Sequence, residues 1–298
     1  MTRHFLTGEE LRSDELERLI DRAIELKADR LASRALEGKS VALVFELPST
    51  RTRVSFETGV AELGGHPLVL RQDELQLSRG ESRRDTALVL SRMVHAIAIR
   101  TASQETVEAL AAHASVPLIN MLTSEHHPCQ ALADLVLLRE RFGRLRGLRV
   151  AYVGDGNNIA RSLLRLGSMA GVDVVVSSPP ELALPDARST PLEEAVRGAQ
   201  ALYTDVWVSL ADDQTEADSK RRLLAPYRLD EELLAQADDE AIVMHCLPAH
   251  PGEEISEGLL YGERSAVWDQ AENRLHAQKA LLELLVTEQE RTKDHRLA

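Results

Sequence analysis

Cysteine is scarce in this chain: Cys129 and Cys246 stand alone among 298 residues. Two thiols so far apart do not make a disulfide framework, so a reducing compartment is expected and each cysteine has either a chemical or a packing role. Positive charge is also in deficit, with 35 Lys and Arg against 48 Asp and Glu and a net charge of −13. That balance argues against general nucleic-acid binding, which needs a basic footprint. No apolar run approaches the roughly 20 residues that cross a bilayer. The opening MTRHFLTGEELRSDEL lacks the apolar segment of a signal peptide. A cytoplasmic protein without a membrane partner is expected.

What is present suits a globular chain, with 44% hydrophobic and 28% charged residues and a length that favours two domains over one. There is no internal repeat and no low-complexity tract. Residues 9–36 read as an amphipathic helical region with Leu16, Leu19, Ile20, Ala23 and Ile24 on one face. Apolar runs VALVF, HPLVL, AIAIR and PLINM then alternate with helical patterns, ending in the strong helix CQALADLVLLRERF closed by Gly143. After the polar hinge GRLRG the pattern restarts with LRVAYVG and VDVVVSSP, followed by ALYTDVWV and AIVMHC. Alternation of this kind predicts α/β architecture, a mostly parallel sheet in each of two domains with helices on both faces. The boundary falls in the hinge, giving domains at 1–142 and 146–271. A long helix is expected from about residue 272 to 290. The polar segment SLADDQTEADSKRRL reads as a surface loop.

Chemistry gathers where strands give way to helices. In ELPSTRTRVSFE, Ser49 suits an N-cap, and Arg51 and Arg53 stand in a first helical turn where the backbone dipole already favours carboxylates. The hydroxyls, backbone N–H groups and guanidinium of Ser49, Thr50, Arg51 and Thr52 make such a start a phosphate site. In HHPCQALADL, Pro128 suits a first turn, so His127 and Gln130 project from a helix N-terminus. AIAIRTAS delivers Arg100 to the end of a buried strand, either as an edge residue reaching water or as a third contributor to that anion site. In YVGDGNNIARS the glycines at 154 and 156 begin a dinucleotide fingerprint, but Ile159 takes the place of the third glycine and VVVSSP lacks the acidic residue that would follow. What remains is a tight turn presenting the amides of Asn157 and Asn158 to a carboxylate. Asp205, at the end of ALYTDVWV, wants a cation, supplied by the protein or by a ligand ammonium. Cys246 ends a strand that Pro248 breaks, and neither a CxxC pair nor an HExxH helix is present, so no metal is expected.

Taken in order, STRTR at 49–53, QLSRGES at 76–82, IRTAS at 99–103, HPCQ at 127–130, DGNN at 155–158, DVWVS at 205–209, HCLP at 245–248 and AENR at 271–274 resemble the aspartate/ornithine carbamoyltransferase family over the whole chain. The resemblance is closest to its ornithine-using branch, because aspartate-using members have HPLP where HCLP stands here. It implies carbamoyl transfer from carbamoyl phosphate to the δ-amine of L-ornithine, without cofactor or metal; putrescine or a modified ornithine are the alternative acceptors. The carbamoyl-phosphate set it implies is Ser49, Thr50, Arg51, Thr52, Gln76, Arg100, His127, Pro128, Cys129, Gln130, Cys246, Leu247 and Arg274. Arg100, His127, Cys246 and Arg274 would be catalytic, and Gln76 would reach into a neighbouring subunit of a homotrimer. Asn158, Asp205, Ser209 and Leu210 would hold ornithine. The C-terminal helix, 272–298, would pack back on the first domain. One departure is SLA at 209–211 where the family usually has SMG. Leucine matches methionine in volume, but the lost glycine removes easy access to positive φ. The incomplete glycine fingerprint gives a direct expectation: calorimetry with NAD should show no saturable binding, and a saturable isotherm would overturn this reading of the turn.

Overall fold

A computed structural model of the chain describes residues 2–74, 80–208 and 214–297. The chain divides into two compact units, Met1–Val136 with Glu272–Ala298, and Leu137–Ala271. In the first unit the order is α1 (Ser13–Ala28), β1 (Ser40–Phe45), α2 (Thr50–Glu62), β2 (His66–Arg71), α3 (Arg83–Leu90), β3 (Ala96–Arg100), α4 (Gln104–Ala111) and β4 (Leu118–Leu122). Helix α5 (Pro128–Phe142) carries the chain into the second unit. There follow β5 (Arg149–Val153), α6 (Asn158–Met169), β6 (Asp173–Ser177), α7 (Leu192–Val196), β7 (Ala201–Thr204), α8 (Gln214–Leu224), α9 (Glu231–Leu234), β8 (Ile242–His245) and α10 (Glu257–Tyr261). Helix α11 (Val267–Leu297) returns the chain to the first unit. Among the described residues no helix is long and apolar enough to cross a membrane.

Each unit is built on a four-stranded parallel sheet with flanking helices, ordered β2-β1-β3-β4 in the first and β6-β5-β7-β8 in the second. Strands Val41–Phe45 and Ala96–Ile99 are buried, as central parallel strands must be. Pro67, which has no N–H to give, lies on the edge strand β2. The opposite edge is covered: Phe5, itself wholly buried, accepts from Asn120 N–H at 2.8 Å and donates to the Leu118 carbonyl at 2.8 Å.

The α/β expectation holds, but some boundaries move. Helix α1 stops at Ala28 instead of running to residue 36, because Asp29 is extended (φ −132°) and ends the helical bonding. Strand β7 stops at Thr204, well short of the expected Val208. The segment read as a surface loop is helical from Gln214 onward, the rest lying outside the described residues. Its Lys, Arg, Ala and Leu content has good helix propensity, and burial of Ala217 and Leu224 anchors the result.

Helix α11 is held to the first unit by one buried charge and by partly exposed ion pairs further along it. Lys279, fully buried, donates to the Arg30 carbonyl at 2.6 Å and to Glu62 at 2.8 Å. Arg22 pairs with Glu283 at 3.0 Å, and Arg3 bridges Glu15 and Glu288. Gly59 in α2 costs roughly 1 kcal/mol of helix propensity, yet its missing side chain is what admits Lys279, whose Cγ would lie 3.1 Å from a Cβ there. Burial alone would raise the Glu62 carboxyl, but hydrogen bonds from Arg30 and Lys279 outweigh it and hold the group below its ordinary value. A depressed carboxyl contributes stability that is complete above its unfolded value and lost as pH falls through the folded one. Lys279→Met should therefore lower unfolding stability by about 3 kcal/mol at neutral pH. The deficit should shrink on acidification below pH 4.5, and denaturant melts showing a pH-independent difference would contradict the pairing.

Candidate functional site

In an open parallel sheet, ligands bind beyond the carboxyl ends of strands where the order reverses. The first sheet reverses between β1 and β3, which are paired neighbours with Phe45 opposite Arg100. Glu46 N–H donates to the Arg100 carbonyl at 3.0 Å, and its carboxylate accepts from the Thr101 hydroxyl, so the two strand ends are fastened together. Helix α2 springs from this point. Ser49 caps it, its Oγ accepting from Thr52 N–H at 3.3 Å and donating to Thr52 Oγ1 at 3.0 Å. The amides of Thr50 and Arg51 have no acceptor among the described residues. The first turn of α2 contains no acidic side chain to balance them. Arg51 is exposed, whereas Arg53 pairs with Glu57 at 2.8 Å. The two arginines of the motif thus differ: one is committed to the protein and the other is open to a ligand.

At the end of β4, Thr123 and His126 exchange hydrogen bonds that shape the turn before α5, and Gln104 accepts from Thr123 Oγ1 at 2.9 Å. His127 follows, buried, with its carbonyl accepting from Gln130 N–H at 3.0 Å. Burial, then the neighbouring positive charges of Arg274 and Arg100, push its imidazole well below the usual range. Pro128 opens the helix. Cys129 spends its thiol on the Asn120 carbonyl at 3.3 Å, and burial pushes that thiol up to about 12. From α11, Arg274 donates to Gln130 Oε1 at 3.0 Å and to Thr52 Oγ1. Thr52, Gln130 and Arg274 are brought together by these bonds; Gln76 lies outside the described residues.

The second sheet reverses between β5 and β7. After β5, Gly154 (φ 135°) and Gly156 make the turn; a Cβ at Gly156 would fall 2.4 Å from the Leu182 carbonyl oxygen and 2.7 Å from Leu184 N. The expectation that Asn157 offers its amide is corrected, because that N–H donates to the Asp155 carbonyl at 2.8 Å. The Asn157 side chain matters instead. Its Oδ1 caps α6 through Ile159 and Ala160 N–H and accepts from Tyr152 OH at 3.1 Å, while its Nδ2 donates to Asp205 at 2.8 Å. Burial foremost, then the Asp205 charge, holds the Tyr152 hydroxyl well above its ordinary value, so it remains a donor. The sequence pointed to the backbone amide of Asn157 and not to its side chain, although Asn at a helix start directly after the glycine turn is a capping signal, and Tyr152 did not stand out at all.

Asp205 is 7% exposed and its second oxygen accepts from Cys246 Sγ at 2.6 Å. Among the described residues no lysine, arginine or histidine side chain pairs with it. Asn158 is the first residue of α6, and Ser209 and Leu210 lie outside the described residues. Beyond Cys246, Leu247 adopts φ 61°, a left-handed conformation that costs a non-glycine residue roughly 1–3 kcal/mol. It is held there by its N–H, which donates to His245 Nδ1 at 2.9 Å; His245 Nε2 in turn faces buried Glu254 at 3.2 Å. Asp205, His245 and Cys246 place ligand-type atoms within 4.8 Å of one another. Both ring nitrogens of His245 are already engaged by Leu247 and Glu254, so these hydrogen bonds account for the cluster without an ion.

Residues 3–140 match the carbamoyl-phosphate-binding domain of the aspartate/ornithine carbamoyltransferases, and residues 146–285 match their aspartate/ornithine-binding domain. The chain belongs to the aspartate/ornithine carbamoyltransferase family. It is 52% identical to a protein named ornithine carbamoyltransferase from Parafrankia sp. (strain EAN1pec), across 96% of each chain. A second relative of that name, from Acidothermus cellulolyticus, is 51% identical over 96% of this chain and 97% of its own. Among solved structures, ornithine carbamoyltransferase from Thermus thermophilus superimposes with a TM-score of 0.89 at 43% identity, covering 96% of this chain and 99% of that one. The enzyme of that name from Pyrococcus furiosus gives a TM-score of 0.90 at 42% identity, covering 94% and 96%.

His127 supplies a test that needs no substrate. Folding disfavours its charged form, so its imidazole should titrate well below the ordinary value of 6.5. NMR of the ring resonances, assigned with His127→Asn, should show a midpoint displaced to lower pH, and an undisplaced midpoint would contradict the burial of this side chain.

Proposed function

We propose that this chain is an ornithine carbamoyltransferase, which transfers the carbamoyl group of carbamoyl phosphate to the δ-amine of L-ornithine and releases L-citrulline and phosphate. The observation that carries the acceptor's identity is Asp205: a buried carboxylate with hydrogen-bond donors on both oxygens and no cationic side chain paired with it among the described residues. An α-ammonium group supplies that missing charge. An ornithine whose α-amine is acylated has no such charge to offer.

In this reading Ser49, Thr50, Arg51 and Thr52 receive the phosphate through hydroxyls, first-turn amides and the uncommitted guanidinium. Pro128 and Cys129 contribute through backbone and packing. Arg100 bridges phosphate and carbamoyl oxygen, and His127, as a neutral imidazole, donates to that same oxygen. Gln130 orients the carbamoyl group. Cys246, the Leu247 carbonyl and Arg274 serve the carbamoyl amine and the incoming nucleophile, while Asn158, Ser209 and Leu210 hold the amino-acid end beside Asp205. The first domain spans 1–142 and the second 146–271. Gln76 acts on a neighbouring subunit's phosphate, which makes a homotrimer the active assembly; the enzyme works in the cytoplasm, in arginine metabolism.

Catalysis is then mostly charge placement. The free δ-amine attacks the carbamoyl carbon, a C–N bond forms, and negative charge grows on the carbonyl oxygen, where Thr52, Arg100 and His127 stabilise it. The C–O bond to phosphate breaks, and the departing phosphate takes the proton that the amine loses. An alkyl amine with a pKa of about 10 is mostly protonated at neutral pH, so the reactive fraction rises toward alkaline pH.

Purified protein supplied with carbamoyl phosphate and L-ornithine should form citrulline and phosphate in equal amounts. Asp205→Ala should raise KM for ornithine about a hundredfold, in line with the loss of one partner of a buried ion pair. KM for carbamoyl phosphate should stay within about threefold. Absence of citrulline would refute the activity; unchanged ornithine kinetics would refute the role of Asp205.

A further inference from the structure

We infer that Asp134, a residue outside the set just assigned, is a positioning residue that fixes which end of the Gln130 amide faces Arg274; this rests on the function proposed above. Asp134 is fully buried, one helical turn after Gln130 in α5, and its Oδ1 accepts from Gln130 Nε2 at 2.9 Å. Gln130, 1% exposed, accepts on Oε1 from Arg274 Nη1 at 3.0 Å, and Arg274 continues the chain through Nη2 to Thr52 Oγ1. The polarity of this relay follows from the groups themselves. A guanidinium only donates and a carboxylate only accepts, so an amide between them meets both with its nitrogen toward Asp134 and its oxygen toward Arg274. The flipped amide would set donor against donor at one end and acceptor against acceptor at the other.

Two partners hold that orientation in the free protein, but they are not equivalent once substrate arrives. Arg274 carries hydrogens that an incoming anion competes for. Asp134, a buried hydrogen-bond acceptor, is not a partner that a phosphate would seek. It therefore keeps the amide oriented when the hold of Arg274 is diverted, and the end of Gln130 left toward the ligand is an acceptor with a second lone pair. Such an acceptor favours an acyl phosphate bearing N–H over one bearing a methyl group. Asp134 thus acts on substrate choice through Gln130 and does not touch the reacting atoms.

The test compares carbamoyl phosphate with acetyl phosphate as a competitive inhibitor, using the full chain. Asp134→Ala should raise KM for carbamoyl phosphate about tenfold while the inhibition constant of acetyl phosphate stays within about twofold. Asp134→Asn, which retains an oxygen acceptor of the same reach, should return KM to within about threefold of the unaltered protein. Gln130→Ala combined with Asp134→Ala should be no worse than Gln130→Ala alone, as expected for one residue acting through another. The assignment is overturned if both acyl phosphates weaken together, if Asp134→Asn is as impaired as Asp134→Ala, or if the two substitutions add. Should Asp134→Ala fail to fold, the unaltered protein still decides. The Gln130 side-chain amide resonance, identified by its loss in Gln130→Ala, should hold its position when inorganic phosphate is added, and a large shift would place the donor end on the ligand. Failure of the activity itself is distinguishable, since it appears as no citrulline from the unaltered chain. Calorimetric titration with carbamoyl phosphate and acetyl phosphate then makes the same comparison.

Discussion

Arg274 lies 4% exposed on a helix near the end of the chain, and it donates to Thr52, more than two hundred residues earlier, and to Gln130. A guanidinium so deeply placed needs partners for its hydrogens and keeps a charge that those neutral partners do not cancel. The organisation of the first unit follows from meeting that requirement. Helix α2 has to begin where β1 and β3 end, so that Thr52 is in reach; α5 has to begin with a proline turn, so that Gln130 is in reach; and α11 has to be fixed along its axis, so that residue 274 stays level with both. Lys279 and Glu62 provide the last condition five residues further along the helix. Burial first, and then the positive charges of Arg274 and Arg100, depress the basicity of His127, and guanidinium groups so gathered favour an anion.

The second unit solves the opposite electrostatic problem. There the buried charge is negative, and the surrounding residues satisfy its hydrogen-bonding capacity while leaving its charge in place. Asn157 is central because its one amide does two things at once, capping α6 with oxygen and holding Asp205 with nitrogen. Asp205 is thereby oriented by neutral donors, Asn157 and Cys246, in the way a carboxylate must be if a cation is to arrive later. The left-handed backbone at Leu247 is maintained by the same kind of local support, through His245 and Glu254.

Much of this was readable from the residues. The strands AIAIR and HPLVL, the proline-initiated α5 and the capped start of α2 carry their own local signals, because burial on both faces and helix capping are short-range properties. The ordered motifs pointed to the family. Distances between elements were not readable, and the misreadings follow from that. The segment 209–223 looked like a loop because its polarity is high, and the helix that begins at Gln214 is anchored by the burial of Ala217 and Leu224. Asn157 was valued for its backbone amide because the turn suggested one; that its side chain instead reaches Asp205, 48 residues away, is tertiary information. The close approach of Lys279 to Gly59, 220 residues earlier in the chain, is likewise tertiary information.

The contrast between the two cysteines has a practical side. Cys129 is buried in the first turn of α5 with its proton held firmly, whereas Cys246 is partly accessible beside Asp205. The chain therefore arrives with one naturally addressable thiol. A fluorophore or spin label can report on the HCLP turn without prior removal of competing sulfur, and the stoichiometry of its attachment is itself a measure of how many sites in a preparation are correctly folded.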